Sequence, residues 1–251
     1  MTRKHTGTMC SCFNRRNSAL KSLEELAKEE AVYVPSSSVQ TTLQHVHLIC
    51  VVGGAAVGKN YLMQLSGIPI VGRVTSRPQR PDDDPSIYKF FTNNELIEKI
   101  ERGKLVQYAV DLPNQVIYGS VPDDYVQNGP TLADIWHWSV DMLKDKGFGS
   151  VKAVSIITPW EQWKAQLEAR FAARDESYRL ARLEEARKSL EWTRSRLNDP
   201  NHAVIINDKN YTEESVNLLK DFANGDSIQT PTDASALIDE LLRQLPPVVT
   251  S

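Results

Sequence analysis

The residues best suited to chemistry lie in one stretch, Val51-Val52-Gly53-Gly54-Ala55-Ala56-Val57-Gly58-Lys59-Asn60. Its spacing is that of a phosphate-binding loop, G-x-x-x-x-G-K, with Asn60 where Ser or Thr is usual. Gly53 and Gly58 let the backbone curl so that its N–H groups converge on phosphate oxygens. A helix starting near Gly58 adds its positive end, and Lys59 supplies a point charge for the outer phosphates. The expected phosphate-binding set is Gly53, Gly54, Ala55, Ala56, Val57, Gly58, Lys59 and Asn60. Asn60 is the irregular member: its carbonyl oxygen could meet Mg²⁺ in place of a hydroxyl, but its NH₂ is useless to a cation. A glycine-rich turn that binds nothing is the alternative.

Three further sets of residues have chemistry in reach. Arg77 and Arg80 follow the hydroxyls of Thr75 and Ser76, a set that suits an anion with several oxygens; taken alone it could equally be a solvated basic turn. Asp134, after Leu132 and Ala133, is an acid at a strand end, able to anchor Mg²⁺ through water or simply to cap. Arg170, Arg174 and Arg182 stand among Glu168, Glu176, Glu184 and Glu185, which by itself describes a solvated charged helix face.

These residues need a frame. Val46, Leu48, Ile49, Cys50, Val51 and Val52 predict a buried strand leading into the loop, with a short helix after it as far as Gly67. Further strands are expected at Ile68–Val71, Tyr88–Phe91, Leu105–Val110, Val116–Tyr118, around Asp134, at Val151–Ile157 and at Ala203–Ile206. Helical periodicity marks a segment around Leu20, Leu23, Leu26 and Ala27, then Asn94–Arg102, a helix from about Glu161, another over about 178–197, Glu213–Phe222 and Asp233–Leu245. Residues 1–17 are polar and basic and are expected to be disordered, and Ser36-Ser37-Ser38 is expected to be a linker.

Composition sets the outer limits. A chain of 251 residues can hold one α/β domain with tails, and a net charge of −3 makes no bulk electrostatic case for nucleic acid or membrane partners. Cys10, Cys12 and Cys50 lack metal-ligand partners and fit a reducing, cytoplasmic setting. There is no membrane-length apolar run, and the basic N-terminus has no apolar segment, so neither a span nor a secretory signal is expected.

In order, these parts resemble guanylate kinase. The phosphate loop is followed by Thr75-Ser76-Arg77-Pro78-Gln79-Arg80, by Tyr88-Lys89-Phe90, by Leu105-Val106-Gln107-Tyr108-Ala109, and by Tyr118-Gly119-Ser120. Asp134-Ile135, Arg170 with Arg174, Arg182-Leu183 and Val204-Ile205-Ile206-Asn207-Asp208 continue the resemblance over about residues 45–223. It implies an α/β fold of the P-loop NTPase type, a parallel sheet flanked by helices, with a small β-rich monophosphate lobe near 73–121 and a helical lid near 168–185. The kinase-like domain would span 43–225, after an N-terminal extension over 1–42 and before a C-terminal linker and helix over 226–251. The implied partners are ATP with Mg²⁺ and a nucleoside monophosphate. The resemblance assigns Arg77, Arg80, Tyr88, Gln107, Tyr118 and Ser120 to the monophosphate. It assigns Lys59, Arg77, Arg170, Arg174 and Arg182 to the transferred phosphoryl group, Asn207 to the ATP side, and Asn60 with Asp134 to the metal.

Two departures fall where the family reads guanine. Gln107 replaces a glutamate, and Asp134-Ile135-Trp136 lacks the second aspartate of the family's D-I-D. Both lost carboxylates accepted hydrogen bonds from the base, and an unpartnered buried donor costs about 1–3 kcal/mol. Gln107 offers a donor and an acceptor, and Trp136 a stacking face or a packing residue, so altered base specificity is expected. His137 is expected to be structural or exposed. The rivals are a non-catalytic guanylate-kinase-like binding module, favoured by Asn60, Gln107 and Trp136, and a different P-loop enzyme, disfavoured by a second anion pocket. The terminal extensions are expected either to pack on the domain or to meet a protein partner.

Overall fold

The computed structural model describes residues 20–246 except 82 and 86. Residues 1–17 and Asp82 lie outside that set. Two helices come first, α1 (Leu23–Glu29) and α2 (Ser37–Leu43), with a 3₁₀ turn at Glu30–Val32 between them. Ser22 and Glu25 start α1 by closing a capping box. The serine run expected as a linker instead opens α2, whose Val39 and Leu43 form a buried i, i+4 pair.

β1 (Val46–Val52) enters the glycine loop and α3 (Lys59–Ser66) leaves it. β2 (Arg73–Thr75), β3 (Tyr88–Phe90), α4 (Asn93–Glu101), β4 (Gln107–Asp111) and β5 (Val116–Ser120) follow. The chain then runs through β6 (Gly129–Asp134), α5 (Ser139–Lys144), β7 (Ser150–Ile157), α6 (Trp160–Phe171) and α7 (Glu176–Ser195). It ends on β8 (His202–Ile206), α8 (Thr212–Asn224) and α9 (Ala234–Gln244). The strand expected at Ile68–Val71 shrinks to a single bridge, Ile70 with Leu132, beside a proline that has no N–H for a ladder.

The fold is α/β. One sheet is parallel throughout, in the order β6-β1-β7-β8. Its central strand is apolar nearly end to end because helices cover both faces. Side chains alternate across it. Ile49 and Val51 face a core built with α3, α6, α7, α8 and α9, whereas Leu48, Cys50 and Val52 face a second core with α2 and α5. The carboxyl ends of β1, β6 and β7 open together toward the glycine loop, the edge where parallel sheets hold ligands.

The other sheet, β3-β2-β5-β4, is mixed: β2 pairs parallel with β3 and antiparallel with β5, which pairs antiparallel with β4. With α4 it forms the small lobe around Val74, Leu96, Ile97, Leu105 and Ile117.

The segment from Leu20 to Leu43 joins both bodies. Leu23 and Leu26 of α1 pack into the lobe core, and Val39 and Leu43 of α2 into the second sheet core. Polar bonds reinforce the strap. The Tyr108 hydroxyl donates to Leu26 O at 2.9 Å, Tyr33 to Leu105 O at 2.8 Å, and the Ser36 N–H to Gly103 O at 3.0 Å. Lys146 donates to the Tyr33 carbonyl. At the other terminus, α9 buries Ala234, Ile238 and Leu241 in the first core. Arg187 of α7 donates to the carbonyls of Leu242 in the last turn of α9 and of Leu245 and Pro246 beyond it.

Candidate functional site

The loop is held from behind, through its carbonyls. Lys59 Nζ folds back to Gly53 O at 2.7 Å and Gly54 O at 3.0 Å. Trp163 Nε1 donates to Ala55 O at 2.8 Å; Thr158 Oγ1 and Asn207 Nδ2 donate to Val57 O at 3.0 and 2.8 Å. Turning the carbonyls inward frees the amides. Among the described residues, no N–H from Gly54 to Gly58 has an acceptor within the protein. Such a row of open donors before the first turn of α3 is an anion seat. The glycines are needed on steric grounds. At Gly53 (φ +150°) a Cβ would stand 2.5 Å from Ile156 O, and at Gly58 (φ +88°) 2.2 Å from Asn207 Nδ2.

A cleft of about 370 Å³ opens from this loop toward the lobe and the helical arm. It gathers Lys59, Arg73, Arg77, Arg80, Arg170 and Arg182, six cations facing three carboxylates, Asp111, Asp134 and Glu185. Such an excess focuses a positive field and draws in polyanions.

On the lobe side, Arg77 is buried against Tyr88 and Phe90, 4.8 and 5.5 Å from their ring centres. Its fork pairs with both oxygens of Asp83 at 2.7 and 2.5 Å. Hydrogen bonds from that guanidinium hold the Asp83 carboxyl down to about 2. Asp83 also accepts the Arg80 N–H at 2.6 Å, so the basic turn is folded around it. Arg80, Tyr88, Gln107 and Tyr118 line the same cleft, and burial raises the Tyr118 phenol above its ordinary value. The two hydroxyls before Arg77 hold backbone instead of reaching the cleft: Thr75 accepts the Arg77 N–H at 3.3 Å and Ser76 the Ile117 N–H at 2.8 Å.

On the arm, α6 carries Arg170 in its last turn, and Asp175 caps α7 by accepting from the Tyr178 N–H at 2.8 Å. Arg170 and Arg182 line the cleft with Phe171, Tyr178 and Glu185. Arg182 pairs with Glu185 at 2.5 Å, and it and Arg174 each stand 5.2 Å from the Tyr178 ring centre. Arg174 is exposed and is not among the lining residues.

The far wall is aromatic. Trp136 lines the cleft and stacks on Trp138, with centres 5.2 Å apart and planes 8° from parallel. His137 also lines it, largely buried, and burial lowers its pKa below the ordinary imidazole value.

Besides Arg174, three residues assigned by the resemblance sit outside the cleft lining. Ser120 is buried and shares a 2.8 Å hydrogen bond with the Tyr125 hydroxyl, so its oxygen does not face the cleft. Asn207 is buried behind the loop, with its amide committed to Val57 O. Asn60 is exposed and outside the cleft lining. Of the two residues assigned to metal, only Asp134 lines the cleft. Arg73 Nη2 lies 2.9 Å from its Oδ2 and Lys59 Nζ 3.7 Å from its Oδ1. One carboxylate shared by two cations does not fit a dication held by the protein itself. Among the described residues no cluster of three or more His, Cys, Asp or Glu side chains could hold a metal ion.

Sequence reasoning passed over Arg73, Thr158 and Trp163, which position the site. Arg73 stands four residues before Arg77, at the first position of β2.

No protein-family model matches this chain, and no curated protein matches it. Among solved structures it is similar to guanylate kinase from Anaplasma phagocytophilum, with a TM-score of 0.48 and 19% identity, over 74% of this chain and 87% of that one.

Proposed function

We propose that the chain is an ATP-dependent nucleoside monophosphate kinase. The γ-phosphoryl group of ATP passes to a monophosphate oxygen of a GMP-like ribo- or deoxynucleotide with altered base preference. The bond from the γ-phosphorus to the β,γ-bridging oxygen breaks, ADP leaves with the electron pair, and a new P–O bond forms on the acceptor phosphate. One observation carries the reading: a single cleft beside the open-amide loop is lined by Lys59, by Arg77, Arg80, Tyr88 and Tyr118 of the lobe, and by Arg170 and Arg182 of the arm, which supports a donor seat and a second anion seat facing each other. An ATPase has no use for the second seat.

The chemistry asked of such a site is placement and charge neutralisation rather than covalent catalysis. Loop amides and Lys59 would hold the donor phosphates, Arg77 and Arg80 with the two tyrosines the acceptor phosphate. Arg170 and Arg182, on the arm, would close on the group in flight and exclude water. ATP enters as its magnesium complex, the ion neutralising donor oxygens. Gln107 and Trp136 line the same cleft and support a base pocket that differs from the guanine type.

The test is diphosphate formation from ATP/Mg²⁺ and a panel of ribo- and deoxynucleoside monophosphates, with Lys59→Ala and Arg77→Ala as controls. Turnover abolished by both, without strong guanine preference, agrees with the proposal. Turnover with strong guanine preference removes the altered-specificity part. No turnover by the folded wild type removes the kinase and leaves a binding module.

A further inference from the structure

Arg73 belongs to neither of the arginine sets that the kinase reading uses. It opens β2 and so belongs to the lobe, yet its guanidinium crosses to the parallel sheet. Nη2 donates to the main-chain oxygen of Asp134 at 2.7 Å and to its Oδ2 at 2.9 Å. The other oxygen of that carboxylate faces Lys59 Nζ at 3.7 Å. Asp134 thus holds the loop cation and the strand cation on its two oxygens. On its other flank Arg73 is level with Tyr88 in the β2–β3 register, and Tyr88 packs on Arg77. Arg73 therefore stands between the donor seat and the acceptor seat.

Its donors are not used up. A guanidinium has five N–H groups in a fixed fork. Arg77 turns both terminal nitrogens onto Asp83 in bidentate geometry. Arg73 reaches Asp134 through Nη2 and shares a side-chain hydrogen bond with Tyr88, which leaves part of its five-donor fork for the cleft it lines. Its side chain is 34% exposed and lines that cleft.

We propose that Arg73 is a catalytic residue: the N–H groups it does not spend on Asp134 and Tyr88 bind the phosphoryl group in transit between the Lys59 seat and the Arg77 seat. This rests on the kinase reading. It deepens that reading by supplying charge from a fixed strand, beside a carboxylate that does not fit a metal. Asp134 is then a positioning residue, aiming Arg73 and Lys59 at one place. Strand placement has a consequence that the arm arginines lack: Arg73 is in position before the arm closes.

The test uses the full chain with Arg73→Ala and Arg73→Lys, reading kcat and KM for ATP and monophosphate separately, and thermal midpoints. Arg73→Ala should lower kcat about 10²–10³-fold, as removal of one preorganised charge donor does, with both KM values within about threefold. Arg73→Lys should recover only part of kcat, because a point charge lacks the fork. An unchanged kcat, or a loss confined to KM for the monophosphate, would overturn the proposal. So would full recovery in Arg73→Lys. If the wild type makes no diphosphate, the kinase reading has failed, and calorimetry with inorganic tripolyphosphate decides the role of Arg73. At least tenfold weaker binding by Arg73→Lys keeps Arg73 on the polyphosphate path; equal binding removes it.

Discussion

Asn207 and Gly58 offer a sharp test of how the loop is built. The Asn207 amide donates to Val57 O at 2.8 Å from a fully enclosed position. Asn207→Ala removes that bond, but Thr158 Oγ1 still serves the same carbonyl at 3.0 Å, so no acceptor is orphaned. The expected cost is therefore the net value of one hydrogen bond, about 1 kcal/mol. Gly58→Ala costs more. At φ +88° a β-carbon is strained by about 1–2 kcal/mol, and its clash with Asn207 Nδ2 at 2.2 Å adds about 1–3 kcal/mol. Shortening Asn207 removes the clash. The double variant should therefore be more stable than the sum of the singles by about 1–3 kcal/mol, a coupling readable by urea denaturation with unchanged m values. Additive effects would refute the packing argument. The same Asn207→Ala protein should use ATP and GTP as donors with an unaltered ratio, because the side chain holds the loop; a shifted ratio would show that it reads the donor base.

Three further outcomes follow. His202 is buried, with Ser155 and the Arg196 carbonyl on its two ring nitrogens, and burial lowers its pKa from 6.5 to about 4. A depressed imidazole favours the fold fully above about pH 6.5 and loses that contribution as pH falls through about 4, up to about 3 kcal/mol in all; the difference between wild type and His202→Gln across that window should show it. Leu26→Ala, at a site with no exposure, should cost about 2–5 kcal/mol in a urea melt if residues 20–43 are integral to the fold, and near zero if they are a detached extension. Ser120→Ala should leave KM for the monophosphate within about twofold, since its hydroxyl is spent on Tyr125; a tenfold rise would place that oxygen on the substrate.

Local signals were the readable ones. The loop, its strand and the α3 start depend on residues adjacent in the chain, and their spacing alone predicts them. The same holds for β4, β5, β7 and β8, found within two residues of their expected bounds. The strap was not readable. Leu23 and Leu26 predict an amphipathic helix, but nothing in the sequence says that its apolar face meets the lobe while Val39 and Leu43 meet the sheet. Ser36–Ser38 read as a linker because serine is common there, although serine is also a frequent helix opener. Ser120 and Asn207 were placed by resemblance, which gives an order along the chain and not the direction of a side chain. Arg73 was missed because its partner, Asp134, is distant in sequence, and only the two sheets meeting bring them together.

The most direct measurement is the monophosphate panel with ATP/Mg²⁺, comparing wild type with Lys59→Ala and Arg77→Ala. The account predicts diphosphate formation by the wild type, lost in both variants, with a base preference other than strict guanine. A folded wild-type protein that turns over no monophosphate would contradict it.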